Sequence, residues 1–424
     1  MATVPSLTLI PSGYKTSNIY SVTPSNGVGD FDFTRGTIAT RVNKNNLVET
    51  VAANLPRLDY TNSTCPNLLL EPQSTNKCKF SEYFGFAPVS GAWTSVGLAS
   101  PTGSFSTAPN GANTSTKITR TDLASTSRLE ASVLMTGGYA TETNTASIYV
   151  KNIDSTHFLF RMEMLAYSSS YVDASFNFST KELILESSST YVLKGLKVDE
   201  LADGWFRLSV TYQNSGYNQD RFQIAPSNSA NRNAVTANTS VEIWGGQFEL
   251  LDYASSYVAT YNNNVTRFTE IANNAGDNTV FNSSEGVLFA EISALGDDAL
   301  VKSIAITDGT VNNIIVIRFN TYGGNSAIDG IYVNSGTLTT TAILYPNTTD
   351  FTKIALSYKQ GFLKLYVNGT LEQTQNLNVN NAINWNTLQF NIGNGTQSFY
   401  GKLKDLRVYK TALTNVELIE LTSY

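Results

Sequence analysis

Hydrophobic residues alternate with polar ones over much of this chain. In the stretch IALSYKQGFLKLYVNGTLE, the residues Leu363, Leu365 and Val367 recur at every second position, so the segment reads as a strand buried on one face. Asn368-Gly369 follow directly and supply the residue types a two-residue hairpin turn requires. The alternation returns in Leu403, Leu406 and Val408, then changes period at Leu413, where Thr414 and Glu417 have the spacing of a capping box opening one short helix. Further strands are predicted over 146–153, 157–165, 173–178, 205–212, 221–225 and 240–250, separated by Gly, Asn and Ser turns. No helical period is visible there.

The ends of these patterned regions divide the chain. Residues 1–80 show no clear period; Pro56, Pro66 and Pro72 bound short extended pieces, and the apolar triplet Leu68, Leu69 and Leu70 needs a surface to bury it. Residues 81–270 read as one β-sandwich, and 284–424 as a second. The polar run 271–283 between them has the composition of a linker. The predicted class is all-β: an extended N-terminal segment followed by two antiparallel sandwiches, with little helix. At 424 residues the chain exceeds what one hydrophobic core usually supports, which agrees with more than one domain.

Composition narrows the partners. Charged residues make up 15% of the chain, against about 25% in an average soluble protein, while aromatic residues reach 11%. The net charge is -6 and no Lys/Arg cluster occurs, so a phosphate-neutralising surface for nucleic acid is not expected. No apolar run is long enough to span a bilayer as a helix, and MATVPSLTLIPSGY lacks the basic and apolar regions of a secretory signal. Cys65 and Cys78 match no metal spacing and cannot form a disulfide framework. The triplets at Asn62, Asn264 and Asn368 are read as products of an Asn-, Ser- and Thr-rich composition rather than as glycosylation sites.

Three stretches carry resemblances. The order of strand, turn, strand and terminal helix in the last third, through FNIGNG and FYGKLKDLRVYKTALTNVELIEL, resembles the laminin-G and concanavalin A-like jelly-roll family. The blocks FDFTRGTIATRVNKNNLVETVAANLPRLDY (31–60) and CPNLLLEPQSTN (65–76) resemble a segment found near the start of bacteriophage tail or fibre proteins. DGWFRLSVTY (203–212) and VEIWGGQFEL with SSYVATYNNNVTR (241–267) resemble the closing strands of jelly-roll carbohydrate-binding modules. Together these imply a structural protein of a virion, assembled in the host cytoplasm. Residues 1–80 would attach to other virion proteins, a homo-trimer is implied by the fibre resemblance, and the sandwiches would face a host surface glycan. A capsid decoration protein is the competing structural reading.

His157 is the single histidine, no Gly-x-Ser-x-Gly elbow surrounds a serine, and Gly245-Gly246 and Gly323-Gly324 lack the Lys and helix of a phosphate loop. For glycoside hydrolysis two carboxyl groups must flank the scissile bond. Glu182 and Glu186 share a face if extended but stand roughly 13 Å apart; Asp30 and Asp32 have suitable spacing but lie near Arg35 and Arg41; Asp297-Asp298 and Asp199-Glu200 are adjacent and would face opposite ways on a strand. A non-enzyme is therefore expected, with a glycan-degrading depolymerase as the rival. The resembled families often carry a structural calcium, for which the resemblance implies Asp297, Asp298, Asp350 and Asp405, although no EF-hand-like loop orders them. For sugar contacts, where aromatic faces stack and amides take hydroxyls, the loop aromatics Tyr167, Tyr171, Tyr217 and Trp93 are the candidates. Trp205 and Trp244 are expected in the core.

Overall fold

A computed structural model describes residues 3–85, 92–134, 143–166, 168–214, 219–379 and 383–424. It is an all-β molecule built of antiparallel sheets, with one α-helix, Asn415–Thr422, and two single-turn 3-10 segments among the described residues. None of these helices is long and apolar enough to cross a membrane.

The middle sandwich packs a six-stranded sheet on a five-stranded one. The first runs, edge to edge, through Thr94–Val96, Arg128–Leu134, Gln219–Ser227, His157–Met164, Tyr171–Asn177 and Glu182–Ser189. The second runs through Thr116–Thr119, Ser240–Glu249, Thr143–Asn152, Trp205–Gln213 and Val192–Glu200. The inward residues are large and apolar: Phe158, Phe160 and Met162 from one strand, Phe222 and Ile224 from its neighbour, against Ile148, Val150, Leu208 and Val210 opposite. Because strand side chains alternate faces, this inward run obliges His157, Leu159, Arg161 and Glu163 to point out.

The C-terminal sandwich is formed by a five-stranded sheet, Thr337–Leu344, Asn325–Asn334, Ile314–Tyr322, Lys302–Thr307 and Thr387–Gln389, facing an eight-stranded one. Its hairpin at Asn368-Gly369 joins Phe362–Val367 to Thr370–Gln375, with both turn residues at positive φ. Leu403 and Leu406 are three apart yet both buried in the core. The pairing explains this: Ile292 lies opposite Leu403 and Glu291 opposite Asp405, leaving Lys404 as the extra residue of a β-bulge. The helix opens with the expected capping box at Thr414 and Glu417.

The N-terminal segment does not hang free of the sandwiches. Leu7–Leu9 pairs with residues 406–408, and Asn67–Leu70 pairs with 401–403, so both add to the eight-stranded sheet. Leu7, Leu9, Phe31, Phe33, Leu68 and Leu70 are buried in the C-terminal core, each worth about 1.5–3 kcal/mol of apolar burial. The stretch 271–283, expected as a linker, is likewise packed. Ile271–Asn273 pairs with Phe31–Thr34, and Ala275, Val280 and Phe281 enter the same core. Apart from the exposed Ile271, the few apolar residues in that polar run are the ones the core takes, a distribution that average composition conceals.

Buried ions join the segment to the end of the middle sandwich. Glu270 binds Arg35 at 2.7 Å and also pairs with Arg57; Arg57 reaches Glu71 at 2.8 Å, and Arg267 lies 3.4 Å from Glu71. All five side chains are withdrawn from solvent. Nearby, Lys402 pairs with Asp59 at 2.9 Å and Asn62 donates to Asp199 at 2.8 Å.

Candidate functional site

The outer face of the six-stranded sheet carries two rows of polar side chains set by strand register. One row reads Glu130, Gln223, Arg161, Asp173, Ser187; the next reads Ser132, Arg221, Glu163, Tyr171. Neighbours in a row stand within contact distance across the strands. Arg161 is the centre: its guanidinium lies 2.8 Å from Glu163 and 3.0 Å from Asp173, and donates to the Ser168 carbonyl at 3.1 Å. Gln223 donates to Glu163 at 3.2 Å, and Arg221 reaches the same carboxylate at 3.4 Å. At Asp173 the facing strand bulges, because Asp173 pairs with Ser187 while Ala174 pairs with Leu185. The extra residue, Glu186, is turned toward this face, where it accepts from the Ser175 hydroxyl at 2.6 Å.

Two loops raise walls around these rows. Ser125 and Thr126, before the strand Arg128–Leu134, and residues 230–233, after its neighbour Gln219–Ser227, rise at the same end of the sheet and line a cavity of about 510 Å³ together with Arg128, Leu159 and Ala174. The second wall is shaped by the 3-10 turn Arg232–Ala234, whose N-cap Asn231 accepts from the Asn233 amide. It brings Arg232 to 3.3 Å from Asp173. Burial pushes the Asp173 carboxyl above its ordinary range, with Arg232 and Arg161 opposing the shift. Burial also holds the Arg232 guanidinium below its ordinary range, and Asp173 compensates only in part.

A larger hollow of about 640 Å³ lies between the sandwiches, but Pro72, Leu250, Leu251, Leu300 and Val301 give it a mainly aliphatic wall. Its Asp298 is tied to Lys302. Of these two, the sheet-face cavity is the one lined mainly by hydrogen-bonding side chains.

Of the aromatic candidates, Tyr171 lines that cavity. Its ring is covered by the Arg161 guanidinium, 3.9 Å from the centroid. Tyr167 and Tyr217 lie outside the described residues. Trp93 is not on a loop surface: it is 1% exposed, donates its indole N–H to the Phe80 carbonyl and packs on Phe84 and Phe222. Trp205 and Trp244 are buried, as their strand positions predicted.

The aspartates considered for calcium are dispersed. Asp298 pairs with Lys302, Asp405 with Arg407 at 2.6 Å, Asp297 accepts from Ser326 and Asp350 from Asn347. Among the described residues no three acidic, histidine or cysteine side chains gather as a metal site would require, so this donor set does not fit calcium. The other acids are similarly occupied. Asp30 accepts from the Ser21 amide and Asp32 from Asn274, so neither pairs with Arg35 or Arg41. Asp199 meets Lys197, and Glu200 meets Lys181. His157 is partly buried, with Thr156 against its ring, and desolvation lowers its pKa. Cys65 and Cys78 are both free, and burial pushes the Cys78 thiol up to about 12.

Sequence reasoning missed Arg128, Arg161, Arg221, Arg232, Glu163 and Gln223. The alternation in HFLFRMEM already sends Arg161 and Glu163 to one face. The neighbours they meet there depend on cross-strand register, which a single sequence does not state.

Residues 304–418 match the family model described as the concanavalin A-like lectin/glucanases superfamily, of laminin-G type. No curated protein matches the chain. Among solved structures, the CBM40 of an IT-sialidase from Ruminococcus gnavus is 17% identical over 34% of this chain and 86% of its own, with a TM-score of 0.29. The binding domain of botulinum neurotoxin serotype D is 17% identical over 36% of this chain and 42% of its own, at 0.28. A SAP-like pentraxin from Limulus polyphemus is 17% identical over 32% and 69%, at 0.27. The C-terminal sandwich is thus similar to the laminin-G and concanavalin A-like superfamily, and strands from residues 7–9, 57–59 and 67–70 extend its larger sheet beyond the matched stretch.

Proposed function

We propose that this protein is a non-catalytic glycan-binding protein that uses the outer sheet face of its middle sandwich as the sugar site. The observation that carries the reading is the walled cavity of about 510 Å³ whose floor and rims present guanidinium, carboxylate, amide and hydroxyl groups in fixed cross-strand rows. Sugar hydroxyls both donate and accept, and such a mixed set of partners suits them. The lectin-type family match of the C-terminal sandwich supports the same class of function.

Catalysis is disfavoured by the chemistry of the carboxylates present. Glu163 and Asp173 are each tied to arginine and Glu186 accepts from Ser175, so all three are already engaged, whereas a glycosidase needs two carboxyl groups that can divide the acid and base roles across the scissile bond. In its finer form the reading is an adhesive component of a bacteriophage fibre, supported by the resemblance of 31–60 and 65–76. Several copies per particle would turn weak single contacts into firm attachment. The packing of 7–76 leaves the outward surface of that segment, rather than a free strap, as the face offered to other virion proteins.

The test is a glycan array probed with the full chain, beside Gln223→Ala. Binding to a defined set of glycans, weakened by the substitution, is the expected result. Release of reducing ends from a bound polysaccharide would replace this reading with a depolymerase.

A further inference from the structure

We propose that the sheet-face cavity takes an uncharged sugar and that Glu186 selects it, its carboxylate accepting from two adjacent ring hydroxyls. The inference rests on the reading of this cavity as a glycan site, and names both the class of sugar and the residue that chooses it. Two observations carry it.

The first concerns charge. The guanidinium groups of Arg128, Arg161, Arg221 and Arg232 line the cavity beside the carboxylates of Glu163, Asp173 and Glu186, and Glu130 holds Arg128 at 2.7 Å from two positions along the same strand. Four positive groups thus meet four negative ones. Apart from Glu186, each stands within 3.4 Å of an opposite charge. An anionic ligand would leave the carboxylates in excess and a cationic one the guanidinium groups, at a partly buried site where charge is poorly screened. A neutral ligand leaves the balance intact.

The second observation concerns Glu186 itself. Among the described residues it is the one charged side chain lining the cavity without an ion pair; its partner is the Ser175 hydroxyl, which donates to Oε1 at 2.6 Å. The bulge sets its place, as the extra residue between Leu185 and Ser187, and bulges re-aim single side chains in this way. The residue is exposed. An ionised carboxylate only accepts hydrogen bonds, and its two oxygens offer roughly four lone-pair sites side by side. Ser175 takes one of them. Neutral donors arranged as a pair fit the remainder, and neighbouring hydroxyls of a sugar ring are such a pair. Stacking has less to offer, since Tyr171 already has the Arg161 guanidinium over its ring, 3.9 Å from the centroid.

The experiment uses the full chain with dextran and galactomannan, neutral polymers whose rings carry adjacent free hydroxyls. Three comparators accompany them: the same polymers after periodate oxidation and borohydride reduction, which opens the ring between such hydroxyls; laminarin, whose linkage takes the middle one of three ring hydroxyls; and polygalacturonate. Affinity is measured by calorimetry at low and moderate salt. The expected result is binding of dextran or galactomannan, weakened about tenfold or more by the oxidation and changed less than about twofold by salt. Glu186→Gln and Glu186→Ala should each lower that affinity about tenfold, with unchanged melting temperature because the side chain is exposed. Tighter binding of polygalacturonate, or equal binding of the oxidised polymers or of laminarin, would overturn the inference while leaving the glycan site standing. Full affinity in both Glu186 variants would also overturn it. No binding to any sugar on the array or in this set would remove both readings.

Discussion

Asp220 shows how one side chain can set a pH dependence here. It is fully buried between two sheets, and the phenols of Tyr191 and Tyr212 both donate to it, while among the described residues no cation faces it. Burial pushes its pKa up to about 6 from 3.8, with the two phenol hydrogen bonds opposing. A carboxyl raised on folding stabilises fully below its unfolded value, and that contribution is lost as pH rises through the folded value. Between about pH 4 and 6.5 this site alone should remove roughly 3 kcal/mol. Glu71, held below its ordinary range by Arg267 and Arg57 despite burial, acts in the opposite sense: its contribution is present above about pH 4.5 and lost as pH falls below that. Urea unfolding across pH should therefore show a decline on the alkaline side of pH 4 that Asp220→Asn flattens. An unchanged slope in the variant would discard the assignment.

At the scale of elements, local chemistry decides where each strand or helix stops. The turn after Val367 forms because Asn368 and Gly369 accept φ of 46° and 83°. The final helix begins where the Thr414 side chain takes the Glu417 amide and Glu417 returns to the Thr414 amide. Thr414→Ala should lower stability by about 1 kcal/mol, read as a small drop in melting temperature with the sheets intact. A loss several times larger would mean the helix is needed for the sandwich itself. Bulges are the part of element geometry that the hydrophobic pattern hid. At Lys404 and Glu186 the extra residue shifts the face of everything after it, so a strict period-two reading misplaces the residues beyond.

For the whole molecule the controlling fact is that the chain's ends share a sheet. Leu7–Leu9 and Asn67–Leu70 pair in turn along one edge of the strand Gly401–Tyr409, and the Arg35, Arg57, Glu71, Arg267 and Glu270 cluster binds that N-terminal segment to the base of the middle sandwich. Breaking one member of such a cluster leaves buried charge without compensation. Glu270→Gln, which removes the carboxylate partner of Arg35 and one of the two on Arg57, should destabilise the protein by about 3–5 kcal/mol. Denaturant unfolding followed by probes in each sandwich should move together. Displacement of one transition alone would show that the cluster does not couple them.

By itself the sequence determined the class of structure: alternation, turn residues and the capping box are local, and each acts through neighbours a few positions away. It placed most strands of the middle sandwich and the helix, and it put Tyr171 among the candidates. Only the tertiary structure decided that Trp93 is core, that 271–283 is packed rather than a linker, and that Arg161, Asp173, Arg221 and Arg232 meet in one cavity. Those outcomes depend on register and on which surfaces close over which, contacts between residues tens to hundreds of positions apart. Period-two patterning says which way a side chain points, and strand pairing says what it finds there.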